Sequence, residues 1–102
     1  MEIRITSRHE KASQGLQDTI NAELNKLEKF SEKITSCHVI LDSEKVDKSV
    51  EIQMHSFGHE VVATAKDENI GKAFSSALYK VERQLKKNNE KIKEHKRTKA
   101  LD

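Results

Sequence analysis

The C-terminal third of the chain carries a helical apolar stripe that no proline interrupts. Ile70, Ala73, Phe74, Ala77, Leu78, Val81, Leu85 and Ile92 recur at three- and four-residue spacing. The whole sequence contains no proline, so nothing breaks a helix predicted from about Asn69 to Lys96. Asp67 or Asn69 can cap its start. A helix with one apolar face must lay that face on another element. The remaining residues therefore have to supply a matching apolar surface.

They supply it as alternating strands. Residues 2–6 place Ile3 and Ile5 on one face. In residues 34–43, Cys37, Val39 and Leu41 alternate. In residues 49–57, Val50, Ile52 and Met54 point one way and Glu51, Gln53 and His55 the other. Gly58 suits a turn, and residues 59–66 return with Val61, Ala63 and Ala65 on one face. The polar segment EKVDK (residues 44–48) connects the second and third strands. A second helix is predicted over residues 12–30, with Leu16, Ile20, Leu24, Leu27 and Phe30 on its stripe and Ser13 at its start. The order is β-α-β-β-β-α. The expected fold is α+β, a four-stranded sheet with two helices on one face, because each strand has only one consistently apolar face.

A chain of 102 residues is one domain, here expected over 1–97 with a short tail at 98–102. Only 34% of residues are hydrophobic, so the core must be placed economically. The single Cys37 can form no internal disulfide, and nothing argues for an oxidising compartment. No apolar run approaches the ~20 residues of a membrane-spanning helix. The N-terminal MEIRITSRHEK lacks the layout of a signal peptide, so a cytoplasmic protein is expected.

Charge is segregated. The net charge is +2, yet residues 80–99 hold nine Lys/Arg against three Glu, while residues 1–79 hold ten cations against thirteen acids. A helix turns about 100° per residue. Lys80, Arg83, Lys87 and Lys91 then form one row flanking and opposing the apolar stripe, widened by Lys72 and Lys86. The first helix groups Lys26, Lys29 and Lys33 in the same way. A solvated helix face is the bland explanation of any charge run. Two features oppose it: the local acids are too few to compensate, and the rest of the chain is net acidic. A polyanion fits such a surface, because phosphates release counterions when neutralised. With only four aromatic residues for stacking, structured RNA read through shape and phosphate spacing fits better than single strands.

Other chemistry has little support. His55 and His59 flank a turn without the carboxylate or thiolate partners of a metal site. Cys37 and His38 are adjacent on a strand and point to opposite faces, which defeats a nucleophile–base pair. No glycine-rich phosphate loop is present. No enzyme, cofactor or small-molecule substrate is expected.

Three segments carry a family resemblance: NKLEKF (Asn25–Phe30), HVILDSEK (His38–Lys45) and KVERQLKKNNEKIK (Lys80–Lys93). Together they resemble the ribosome hibernation-promoting factor and ribosome-associated inhibitor family, over nearly the whole chain. The resemblance implies a fold like double-stranded-RNA-binding domains with an added first strand. It implies binding to the small ribosomal subunit and its ribosomal RNA, across the messenger and transfer RNA sites, with translation inhibited in stressed or stationary cells. It also implies the short form of the family, monomeric off the ribosome. The family often carries a D-M-Y-like motif at the start of the last helix, where this chain has Asn69, Ile70 and Gly71. On this reading Lys26, Lys29, Lys80, Arg83, Lys86, Lys87 and Lys91 form the RNA-binding surface. The alternatives are a general structured-RNA-binding protein and a protein-binding transcription modulator.

Overall fold

The computed structural model describes residues 1–9, 11–30, 34–44, 46–56 and 59–101; side chains are described outside 28–30, 44 and 88–101. The elements are β1 (Glu2–Ser7), α1 (Gln14–Phe30), β2 (Ile34–Glu44), β3 (Asp47–Ser56), β4 (His59–Asp67) and α2 (Ile70–Leu101). The order is the expected β-α-β-β-β-α, and the four strands form one sheet in the order β1-β2-β3-β4. β1 runs parallel to β2, and the other two pairs are antiparallel. Parallel pairing needs a crossover, which α1 provides.

Register explains why only one face is covered. Ile5, Val39, Ile52 and Ala63 lie in one row across the sheet, and Ile3, Cys37, Met54 and Val61 in another. These rows point into the core, with Val39, Ile52 and Met54 fully buried. The intervening rows, Arg4–His38–Gln53–Val62 and Thr6–Ile40–Glu51–Thr64, occupy the other face. α2 packs across β3 and β4, and α1 lies beside it. Their stripes contribute Ile20, Leu24 and Leu27 from α1 and Ala73, Phe74, Ala77, Leu78, Val81 and Leu85 from α2. Each large buried side chain stabilises the fold by roughly 1.5–3 kcal/mol relative to exposure. The core cations are none: every buried residue but Ser56 among those described is hydrophobic.

The helix starts follow capping chemistry. Ser13 Oγ accepts a bond from the Leu16 amide at 3.1 Å. Asn69 Oδ1 accepts from the Lys72 amide at 3.1 Å, and Asp67 Oδ1 holds the Asn69 amide at 2.9 Å. Asn69 is thus the cap, with Asp67 bracing it. Ile70 is half-buried against the core, and a Cβ on Gly71 would meet Asn69 Oδ1 at 3.1 Å. The Asn69–Ile70–Gly71 stretch serves cap and packing here.

Several boundaries shift from the sequence expectation, most by one or two residues, α1 starting at Gln14 among them, and two shifts are instructive. β3 starts at Asp47, paired with Glu44, so the EKVDK connection is mostly strand. Alternation of apolar residues marks only the buried part of a ladder, while backbone pairing continues past it. α2 extends past Lys96 to Leu101, through most of the expected tail, since neither glycine nor proline follows Gly71. The proposed turn at Phe57–Gly58 lies outside the described residues.

Candidate nucleic-acid interface

Packing the stripe of α2 on the sheet fixes where its cations point. Lys80, Arg83, Lys86 and Lys87 are all exposed. Together with Lys26 of α1 they line one open depression of about 1220 Å³ between the outer surfaces of α1, α2 and β4. Five of the seven residues picked out by sequence therefore share one surface. The side chains of Lys29 and Lys91 lie outside the described residues.

The individual cations differ in their surroundings. Lys80 Nζ donates to the Thr64 carbonyl at 2.7 Å, and Gln84 Nε2 donates to the Val62 carbonyl at 3.0 Å. β4 is an edge strand, so these side chains satisfy carbonyls that have no strand beside them. Lys80 is thus anchored against the sheet edge. Lys26 Nζ lies 3.3 Å from Glu23 Oε1, an ion pair one turn apart on an exposed helix, worth a few tenths of a kcal/mol. Glu23 and Glu82 both line the depression, too few to compensate the five cations there. Cations still outnumber acids there, and the arrangement suits phosphate oxygens, which a guanidinium can grip with two parallel bonds.

One residue escaped the sequence reading. Tyr79 is 60% exposed, lines the same depression, and carries the Arg83 guanidinium 5.9 Å from its ring centroid. Its signal in the sequence was an aromatic residue lying off the apolar stripe.

A second, smaller depression of about 450 Å³ opens on the uncovered sheet face. Arg8, Lys66 and Lys80 line it, with Asp42 and Glu51. Both acids are engaged: Asp42 with the His9 ring at 2.7 Å and the Ser43 amide at 2.8 Å, Glu51 with Gln53. The bond to His9 holds the Asp42 carboxyl below its ordinary range. Cys37 is buried in the core, and burial pushes its thiol up to about 12, far from a reactive thiolate. His38 faces the other way and shares a 2.7 Å hydrogen bond with Thr6 Oγ1. Among the described residues no cluster of metal-ligating side chains occurs, and no helix is long and apolar enough to cross a membrane.

Comparison with known proteins agrees with this architecture. The ribosome hibernation promoting factor of Pseudomonas putida is 36% identical over 91 residues, covering 89% of each chain. That of Klebsiella oxytoca is 30% identical over 95 residues, covering 93% of this chain and all of the relative. Among solved structures, a ribosomal subunit interface protein from Coxiella burnetii superimposes with a TM-score of 0.82 at 24% identity, over 87% of this chain and 98% of the other. The N-terminal domain of protein Y from Thermus thermophilus gives 0.79 at 22% identity, over 85% and 98%. The family model described as sigma 54 modulation protein / S30EA ribosomal protein matches residues 3–93, and the chain belongs to that family.

Proposed function

We propose that this chain is a ribosome hibernation factor that binds the small ribosomal subunit across the messenger and transfer RNA sites and silences translation by occupying them. The observation that carries the reading is the convergence of Lys26, Lys80, Arg83, Lys86 and Lys87 on one open depression, on a scaffold whose core holds no cation among the described residues. The function is binding and not catalysis: cations on rigid helices neutralise phosphates, and inhibition follows from steric occupancy. Lys29 and Lys91, on the same two helices, extend the contact in this reading. A ribosomal partner makes the protein cytoplasmic.

The test is co-sedimentation with purified small subunits at several salt concentrations. Reversal of Arg83 and Lys87 to Glu should abolish pelleting and translation inhibition, because contacts are lost and repulsion is added. Parent affinity should fall with salt, each phosphate neutralised adding about 0.7–0.9 to the log–log slope. The control is Arg4→Glu, an exposed cation on β1, the sheet edge opposite β4. It should bind nearly as the parent does. Pelleting by the double variant would reduce the helix face to a solvated surface. Equal affinity of the parent for free duplex RNA and for subunits would favour a general RNA-binding protein.

A further inference from the structure

The basic depression contains an element that phosphate contacts do not explain. Three large hydrophobic side chains are exposed among the described residues: Val46, Val62 and Tyr79. Two of them, Val62 and Tyr79, line the depression formed by the cations. Tyr79 lies nearly opposite the α2 core stripe, two residues before Val81, and so contributes nothing to the core. Its ring lies beneath Arg83 at 5.9 Å, within cation–π range. A tyrosine and an arginine one turn apart stabilise an exposed helix only slightly, and that alone would make the pair ordinary. Its position amid Lys26, Lys86 and Lys87 makes it more than that, because a polyanion drawn to those cations brings its bases to the same place.

We propose that Tyr79 and Arg83 form a stacking platform for one unpaired RNA base, so that the surface selects RNA with a bulged or looped-out nucleotide over uniform duplex. This rests on the RNA-binding reading given above and adds the feature of RNA that is recognised. A tyrosine ring or guanidinium plane stacks on any base with little sequence preference, and a base in a continuous duplex has no free face to offer. The cations supply the phosphate attraction, and the platform supplies the discrimination.

The chain offers a direct reporter. Tyr79 is its sole tyrosine and there is no tryptophan, so intrinsic tyrosine emission comes from this ring alone. Three probes are titrated: a blunt RNA duplex, the same duplex with a single bulged nucleotide, and inorganic polyphosphate. The bulged RNA should quench the emission and bind more tightly than the blunt duplex. Polyphosphate should bind without comparable quenching. Tyr79→Ala should weaken bulged-RNA binding about tenfold or more while leaving the salt slope and blunt-duplex affinity unchanged. Tyr79→Phe should retain the affinity of the parent. At 60% exposure Tyr79 can be replaced without unfolding the chain, which a thermal melt verifies. Equal preference for bulged and blunt RNA in parent and Tyr79→Ala, or emission that no RNA changes, overturns the platform while leaving the basic groove standing. Failure of the parent to bind any of the three probes also overturns the platform, while the ribosomal reading stands or falls separately on co-sedimentation with small subunits.

Discussion

Ala77 and Leu78 are buried, whereas Tyr79 and Lys80, the next two residues of the same helix, are exposed. The inner side of α2 meets β3 and β4 through Phe74, Val81 and Leu85; the outer side offers Arg83, Lys86 and Lys87 to solvent. One helix therefore carries both the scaffold and the candidate interface, divided by its rotation alone. The two sides are held by different physics. The inner side contributes free energy in proportion to buried area and carries no charge for salt to screen. The outer side contributes almost nothing to folding, and its effect on a polyanion varies steeply with salt.

The strongest way to break that division is in the core. Phe74→Ala and Leu85→Ala each remove a large side chain exposed by 2% or less and should cost roughly 2–5 kcal/mol in urea melts. The Glu reversals at Arg83 and Lys87 should stay within about 0.5 kcal/mol each of the parent in the same melts. If Leu85→Ala melted like the parent, or the reversals unfolded the chain, the inner and outer sides would be wrongly assigned.

A smaller effect sharpens the boundary between the sides. Asn69 belongs to neither stripe, but its side chain fixes where α2 begins and hence the rotation of every later residue. Asn69→Ala should cost about 1 kcal/mol in a thermal or urea melt, the usual loss on removing a cap. No measurable loss would mean that Asp67 or solvent satisfies the same amides, and that packing alone sets the rotation.

How far the sequence could be read follows from the same division. Period-two alternation in Val50, Ile52 and Met54, and three- and four-residue spacing in Phe74, Ala77, Val81 and Leu85, report facing directly, because burial imposes them. They located the covered sheet face and both helix stripes. They could not show that β1 lies parallel beside β2, since alternation carries no information about neighbours. They could not show that Lys80 bends back to the Thr64 carbonyl or that Glu23 engages Lys26, because a long flexible side chain reaches several ångströms to either flank of its own position. Counting aromatics concealed Tyr79, because a total carries no information about where one exposed ring sits. The strand boundary at Asp47 was missed for a related reason, since solvent-exposed ladder ends need no hydrophobic pattern.

The smallest expected effect lies away from α2, where His9 and Asp42 meet on the surface. His9 adopts a left-handed backbone, φ 68°, and its ring bonds Asp42 at 2.7 Å. Asparagine tolerates that backbone well, so His9→Asn removes the ring without forcing strain. Asp42 has an ordinary value of 3.8 and is held below it, first by the His9 bond. A carboxyl lowered on folding stabilises the fold above its unfolded value, and that stabilisation is lost as pH falls through the lower folded value. His9→Asn should therefore be slightly less stable than the parent near neutrality, and the gap should close as pH drops below about 4 toward the folded titration point of Asp42. NMR titration of the Asp42 carboxyl gives the direct check: its midpoint should lie below 3.8 in the parent and move up in His9→Asn. A midpoint unmoved by the substitution would assign the shift to the Ser43 amide and the Arg8 charge instead. An exposed pair of this kind should leave subunit binding untouched, so a loss of binding in His9→Asn would extend the interface beyond the helices to the loop after β1.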